Sequence, residues 1–175
     1  MRKILIVIDM QNDFIDGSLG SSEAQSIVPN AIKKIKSYCS ENIFVTLDTH
    51  DNNYLASQEG TKLPIVHCVK DTHGWNINKD VKNALGEAKT YEKRTFGSKE
   101  LALDLVDLNK KERIEIEIIG LCTDICVVSN ALLIKAFLPE TKIIVDASCC
   151  AGVTVKKHLA ALDVMESCQI KVINR

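Results

Sequence analysis

Residues able to do chemistry recur at the ends of apolar runs. Asp9 closes Ile4–Ile8, Asp48 closes Ile43–Leu47 with His50 just beyond, and Lys93 ends a later run. His67-Cys68 sits in a short run between these, and Ile114–Gly120 leads into Leu121-Cys122-Thr123-Asp124-Ile125-Cys126. Cys126 begins an apolar helical stretch, where the helix dipole and free N–H groups stabilise a thiolate and could hold an oxyanion. A nucleophilic thiol needs a proton acceptor, and a carboxylate such as Asp9 serves when burial raises its pKa; a nearby Lys93 favours both anions. Cys126 has the best setting of the seven cysteines. Cys39 lies at a helix end, Cys68, Cys149, Cys150 and Cys168 are expected to pack, and Cys122 shares the same turn. Singly, each residue has a plainer role: Asp9 or Asp124 as a helix cap, Lys93 as a solvated lysine, Cys126 as an inert buried thiol.

A second chemistry lies in Asp48-Thr49-His50. In extended backbone, positions i and i+2 point the same way, so one ion can take both side chains, with His67 as a third ligand. Two imidazoles and a carboxylate suit Zn²⁺, Mn²⁺ or Fe²⁺ and leave positions open for water or substrate.

These groups converge only if the elements between them do. Strand patterns cover Lys3–Asp9, Ile43–Asp48, Ile65–Val69, Lys89–Lys93, Ile114–Gly120, Lys142–Ala147 and Ile170–Ile173. Helical patterns cover Ser26–Ser37, Asn78–Leu85, Lys99–Leu108, Asp124–Phe137 and Val155–Cys168, the last with Leu159, Leu162 and Met165 as its apolar stripe. The alternation predicts a three-layer α/β/α domain over residues 1–175, with a mostly parallel, Rossmann-like sheet of about six strands. Such sheets bind ligands at the carboxyl ends of their strands, where the residues above fall. Ile114-Glu115-Ile116-Glu117-Ile118 alternates, which predicts that one face of that strand begins near solvent.

The chain has 175 residues, and its 22 basic and 23 acidic residues leave a formal charge of -1, without the basic excess that favours nucleic acid or an anionic membrane surface. The apolar N-terminal run is too short for a signal peptide or a membrane span. Seven cysteines, an odd number with no Cys-x-x-Cys pair, read as reduced thiols in a cytoplasmic protein.

Val7-Ile8-Asp9-Met10-Gln11-Asn12-Asp13-Phe14 and Gly120-Leu121-Cys122-Thr123-Asp124-Ile125-Cys126-Val127, with Lys93 between them, resemble the motifs of the isochorismatase-like cysteine hydrolases, and within them the nicotinamidases, over essentially the whole chain. The resemblance implies a catalytic triad of Asp9, Lys93 and Cys126. It also implies a non-proline cis peptide at Leu121–Cys122 and an oxyanion hole built from the N–H groups of Cys122 and Cys126. It implies one divalent metal ion, zinc first with manganese or iron as alternatives, on Asp48, His50 and His67, and Glu59 is placed as the fourth ligand that some members carry. The implied reaction is hydrolysis of nicotinamide to nicotinate and ammonia through a cysteine thioester, a step of NAD salvage; members are often homo-oligomers. Two positions depart from the pattern: Leu63-Pro64 stands for the usual Trp-Pro, and Asp71 for a usual glycine. Phe14 is one aromatic candidate to stack on a pyridine. Trp75 either replaces the missing ring or merely packs. The alternative is a relative acting on another small amide. A metal-free isochorismatase would not need Cys126 or the ligand triplet, and a phosphoacceptor domain would need paired acids where Asp9 is followed by Met10.

Overall fold

The computed structural model describes all residues from Met1 to Arg175. Its strands are β1 (Arg2–Ile8), β2 (Ile43–Asp48), β3 (Lys89–Lys93), β4 (Ile114–Leu121), β5 (Ile143–Ala151) and β6 (Lys171–Ile173). The helices are α1 (Asn12–Ile15), α2 (Ser22–Ile35), α3 (Gln58–Lys62), α4 (Lys79–Leu85), α5 (Lys99–Lys111), α6 (Val128–Phe137) and α7 (Val155–Ser167). All six strands pair in parallel, in the order β3-β2-β1-β4-β5-β6.

The central strand β1 is apolar at every position from Ile4 to Ile8, so it feeds a core on each face of the sheet. Ile4, Ile6 and Ile8 pack with Leu101 and Leu105 of α5, Ile134 of α6 and Met165 of α7. Leu5 and Val7 pack with Ala31 and Ile35 of α2 and Val81 of α4. The order reverses between β1 and β4, which opens a crevice at their carboxyl ends. Gly120 keeps these two strands close: its φ is +121°, and a Cβ there would lie 2.1 Å from the Ile8 carbonyl oxygen.

Several boundaries differ from the sequence expectation. Ile65–Val69 forms no strand; only an isolated parallel bridge joins Val69 to His50. Leu63–Pro64 precedes it, and the run is too short and too exposed to extend the sheet. Helix α2 begins one turn early because Ser21 caps it, accepting the Ala24 N–H, and it tolerates Pro29 in its interior because Ala24, Ile27, Ala31 and Ile35 are buried. β5 runs on through Ser148-Cys149-Cys150-Ala151, small residues without the β-branched signal. In α7 Leu159 is 42% exposed, and Ala161 joins Leu162 and Met165 in the buried face instead. Cys168 is exposed rather than packed, as is Cys39, and all seven cysteines are free thiols. No helix is long and apolar enough to cross a membrane.

The alternating strand β4 does not begin near solvent. Helix α2 and the residues just after it cover its polar face: Lys34 Nζ lies 2.6 Å from Glu117 Oε1 and 2.9 Å from Asp146 Oδ2, and Tyr38, beyond the helix end, donates to Glu117 Oε2 at 2.6 Å. Lys142 pairs with Glu115 at 2.7 Å. Burial raises the Asp146 carboxyl, but hydrogen bonds from Lys34, Ser148 and Asn174 bring it net below its ordinary value. Its contribution is therefore present above the unfolded Asp pKa, about 3.9, and lost as pH falls through the lowered folded value. Lys34→Met should cost about 2 kcal/mol at neutral pH, less than breaking a fully buried pair. Urea titrations should show that deficit shrinking on acidification; a pH-independent deficit would assign the effect to packing of the lysine stem.

Candidate active site

β1 and β2 end side by side at the carboxyl rim, and β4 delivers the Thr123–Val127 turn beside them. Asp9 follows β1 with φ +47°, in the left-handed region that aspartate tolerates better than most residues. It caps no helix. Its side chain is fully buried, accepts from Thr46 Oγ1 at 2.6 Å through Oδ1, and presents Oδ2 to Lys93 Nζ at 2.7 Å. No donor is aligned on Oδ2, so that contact is an ion pair and the oxygen remains open to accept a proton. Lys93 also lies 3.4 Å from Cys126 Sγ and 3.3 Å from Asp48 Oδ1. It is 3% exposed, so the solvated-lysine reading does not hold.

The electrostatics follow from burial. Desolvation raises the Asp9 carboxyl, with Lys93 opposing and Asp48 adding to it. Desolvation first, then the Asp9 charge, push the Cys126 thiol well above its ordinary value. Burial alone would lower Lys93, but Asp9, Cys126 and Asp48 together raise it, so the ammonium persists. The cluster thus holds one buried cation, a carboxylate with raised basicity and a thiol that needs a base.

Cys126 does not open a regular α-helix. Ile125 and Val127 both donate to the Cys122 carbonyl, at 3.0 and 3.1 Å, which widens the turn into a π-helical one before α6 begins. The Leu121–Cys122 peptide is cis, and the Cys122 N–H makes no backbone hydrogen bond. Asn130, one turn on, donates to the Cys126 carbonyl at 2.8 Å and to Phe96 O at 3.0 Å. Its Oδ1 accepts from the Ser98 N–H, tying the thiol's helix to the loop after Lys93.

Asp48, His50, Glu59 and His67 bring one ligand atom each within 4.8 Å of one another. His50 Nε2 and His67 Nε2 lie 3.0 and 3.5 Å from Asp48 Oδ2, and 3.9 and 3.8 Å from Glu59 Oε1. Two ligands each about 2.1 Å from one ion stand about 3.4 Å apart at a tetrahedral angle, so these spacings fit a single ion. His67 Nδ1 bonds the Ile65 carbonyl at 2.8 Å, leaving Nε2 bare toward the cluster. Burial and the Asp48 charge raise the Glu59 carboxyl, as expected of two carboxylates sharing one small space. His67 reaches this cluster from the Ile65–Val69 loop rather than from a strand.

One cavity of about 900 Å³ is lined by Cys126 and by all four donors, with Asp9 and Lys93 behind its wall; Phe14, Leu63, Leu121, Cys122, Ile125 and Phe96 supply much of that wall. Phe14 stands 5.6 Å from the His67 ring, centroid to centroid. Trp75 is not part of the wall: its indole donates to Thr49 Oγ1 at 2.8 Å, and the ring packs against the α2-side core. Asp124 serves elsewhere too, accepting the Val153 N–H at 2.9 Å.

The sequence reading missed Thr46, Gln11, Asn130 and Tyr54. Gln11 accepts the Asp48 N–H and donates to its carbonyl, both at 2.8 Å, fixing the β2 end. The Tyr54 ring meets the His50 and His67 imidazoles at a tilt and edge-on, with centroids 4.6 and 4.9 Å away. Thr46 stands two residues before Asp48 and Asn130 four after Cys126, so period-2 and helical spacing carried a signal for both.

The Isochorismatase domain model matches residues 3–175. An uncharacterized isochorismatase family protein, PncA, of Bacillus subtilis (strain 168) is 30% identical over 173 residues, spanning 93% of each chain. The crystal structure of nicotinamidase/pyrazinamidase PncA from Bacillus subtilis superposes with a TM-score of 0.82 at 23% identity, over 98% of this chain and 99% of that one. Pyrazinamidase of Pyrococcus horikoshii in complex with zinc gives 0.77 at 24% identity over 100% of both. The sheet order, the rim and the match along nearly the whole length agree: the chain belongs to the isochorismatase family.

Proposed function

We propose that the protein is a metal-dependent cysteine amidohydrolase that converts nicotinamide and water to nicotinate and ammonia. The observation that carries this is the contact of Lys93 with both Asp9 and Cys126, together with the cavity that Cys126 lines alongside the four-donor cluster. Asp9 Oδ2 takes the thiol proton, and the Cys126 thiolate attacks the amide carbonyl carbon. The N–H groups of Cys122 and Cys126 hold the resulting oxyanion. Protonated Asp9 gives its proton to the departing ammonia, leaving a thioester. Asp9 then deprotonates a water, which attacks the thioester carbonyl; the carbon–sulfur bond breaks, the departing sulfur takes the proton back from Asp9, and the carboxylic acid is released. Lys93 stays charged throughout and stabilises the carboxylate and the thiolate in turn. Asp48, His50, Glu59 and His67 would hold a divalent ion, which would supply a Lewis-acidic docking point for a ring nitrogen.

Zinc suits this donor set, and the Pyrococcus relative is described in complex with zinc. The reaction would return nicotinamide to NAD salvage in the cytoplasm. A second reading, hydrolysis of another small amide, is favoured by one observation: Leu63, not a tryptophan, walls the cavity. Ammonia release from nicotinamide, pyrazinamide and aliphatic amides, with chelator and metal add-back, decides between them. Nicotinamide turnover no faster than aliphatic amide turnover overturns the first reading.

His50→Ala and His67→Ala should each lose the ion by elemental analysis. Each should lower kcat/KM about 100-fold, mostly through KM, because the ion positions substrate. Peptide mapping should show Cys126 still alkylated by iodoacetamide at close to the wild-type rate. Full activity in a protein that stays metal-free after incubation with Zn²⁺, Mn²⁺ and Fe²⁺ would remove the metal from the mechanism.

A further inference from the structure

The turn that carries Cys126 has two sides. Cys122, Ile125 and Cys126 face the cavity. Thr123 and Asp124 engage the other wall of the crevice: Thr123 Oγ1 lies 2.8 Å from His158 Nδ1, and Asp124 Oδ1 accepts the Val153 N–H. His158 stands in the first turn of α7, capped by Thr154, whose hydroxyl accepts the Lys157 N–H at 3.2 Å. We propose that His158 is a positioning residue for the nucleophile: its hydrogen bond with Thr123 anchors the Thr123–Val127 turn to α7 and so sets where the Cys122 N–H and the Cys126 thiol point.

The site is closely built. Thr123 is fully buried, so its hydroxyl needs a partner, and His158 is the one it has. Gly152 lets the three segments meet: a Cβ there would lie 2.7 Å from Asp124 Oδ1, 2.9 Å from the His158 backbone nitrogen and 3.0 Å from its Cα. Nothing larger than glycine fits without pushing α7 off the turn. Thr123 also adjoins the cis peptide on one side, and Cys126 follows three residues later, so a shift at Thr123 reaches both the oxyanion donor and the sulfur. A π-helical turn lacks a regular i→i−4 ladder to hold itself, which makes an outside tether consequential. Burial lowers the His158 pKa, with Asp124 opposing and Arg175 adding to the shift, so the ring is neutral and one nitrogen free to accept at neutral pH. The plain alternative is a buried threonine satisfied by a convenient neighbour, with no bearing on rate.

The inference rests on Cys126 as nucleophile, and the experiment separates the two. In the full-length metal-loaded enzyme, His158→Phe keeps a ring and removes the bond, Thr123→Val removes the hydroxyl isosterically, and His158→Asn returns a polar group near the Nδ1 position. Three readouts apply: kcat and KM for nicotinamide, the rate of Cys126 alkylation by iodoacetamide followed by peptide mapping, and the melting temperature. His158→Phe and Thr123→Val should each lower kcat about tenfold with KM within about twofold, and slow alkylation in parallel. The double variant should be no worse than either single one, and His158→Asn should recover most of the rate. Should His158→Phe not fold, Thr123→Val and His158→Asn carry the same comparison. A kcat within about twofold of wild type in Thr123→Val, additive losses, or an asparagine variant as slow as the phenylalanine one overturns the proposal. A wild-type enzyme inert toward nicotinamide overturns the substrate reading instead, and the alkylation rates still decide the role of His158.

Discussion

Cys126→Ala should fold normally and release no measurable ammonia, a loss on the order of 10⁵-fold or more, because in the proposed mechanism the alanine removes the only atom that bonds to substrate carbon. The fold should survive. Cys126 is 5% exposed within the core shared by α5, α6 and α7, and exchanging a sulfur for a hydrogen leaves a small void costing about 1 kcal/mol. The matched control is Cys122→Ala. That residue is asked only for its backbone N–H, and it is the Cys126 sulfur, not the Cys122 thiol, that Lys93 contacts at 3.4 Å. It should keep substantial activity. Mass spectrometry of quenched reactions should find an acyl adduct on Cys126 in wild type and in Cys122→Ala, and none in Cys126→Ala. An inactive Cys122→Ala beside an active Cys126→Ala would show that the other thiol of the turn is the nucleophile.

What the sequence revealed tracks how local each determinant is. β1 and β2 were legible because their apolar runs stop at Asp9 and Asp48, and the convergence of those ends follows from parallel topology alone. The Ile65–Val69 run misled because a few β-branched residues cannot tell a strand from an extended loop; only the partner decides, and His50 pairs with Val69 alone. The glutamates of β4 misled for the opposite reason. Alternation signals a polar face, but not that Lys34 on α2 and Tyr38 just beyond its end will cover it. Trp75 was ambiguous because an indole serves a wall or a core equally well until its N–H finds Thr49. The widening of the Cys126 turn depends on which carbonyl two N–H groups choose, a tertiary outcome with no spacing signature.

Asp9→Asn should be nearly as inactive as the alanine variant at Cys126. The amide is nearly isosteric but cannot take the thiol proton, and a thiol whose pKa burial holds well above its ordinary value does not ionise unaided near neutrality. A loss of about 10³-fold or more is expected, with little or no acyl-enzyme in a mass measurement. Structure should be retained, since Asn can still accept from Thr46, and Lys93 keeps a carboxylate in Asp48 Oδ1, 3.3 Å away. The wild-type pH profile bears on the same point. The base must be unprotonated, so kcat/KM falls as pH drops through the Asp9 pKa. Burial raises that pKa above the ordinary value of 3.8, so the acid limb should lie above the range of a free aspartate. Near-normal activity in Asp9→Asn would make Asp9 only the counter-ion of Lys93, and the proton acceptor would then have to be water or Asp48, the next carboxylate along the rim.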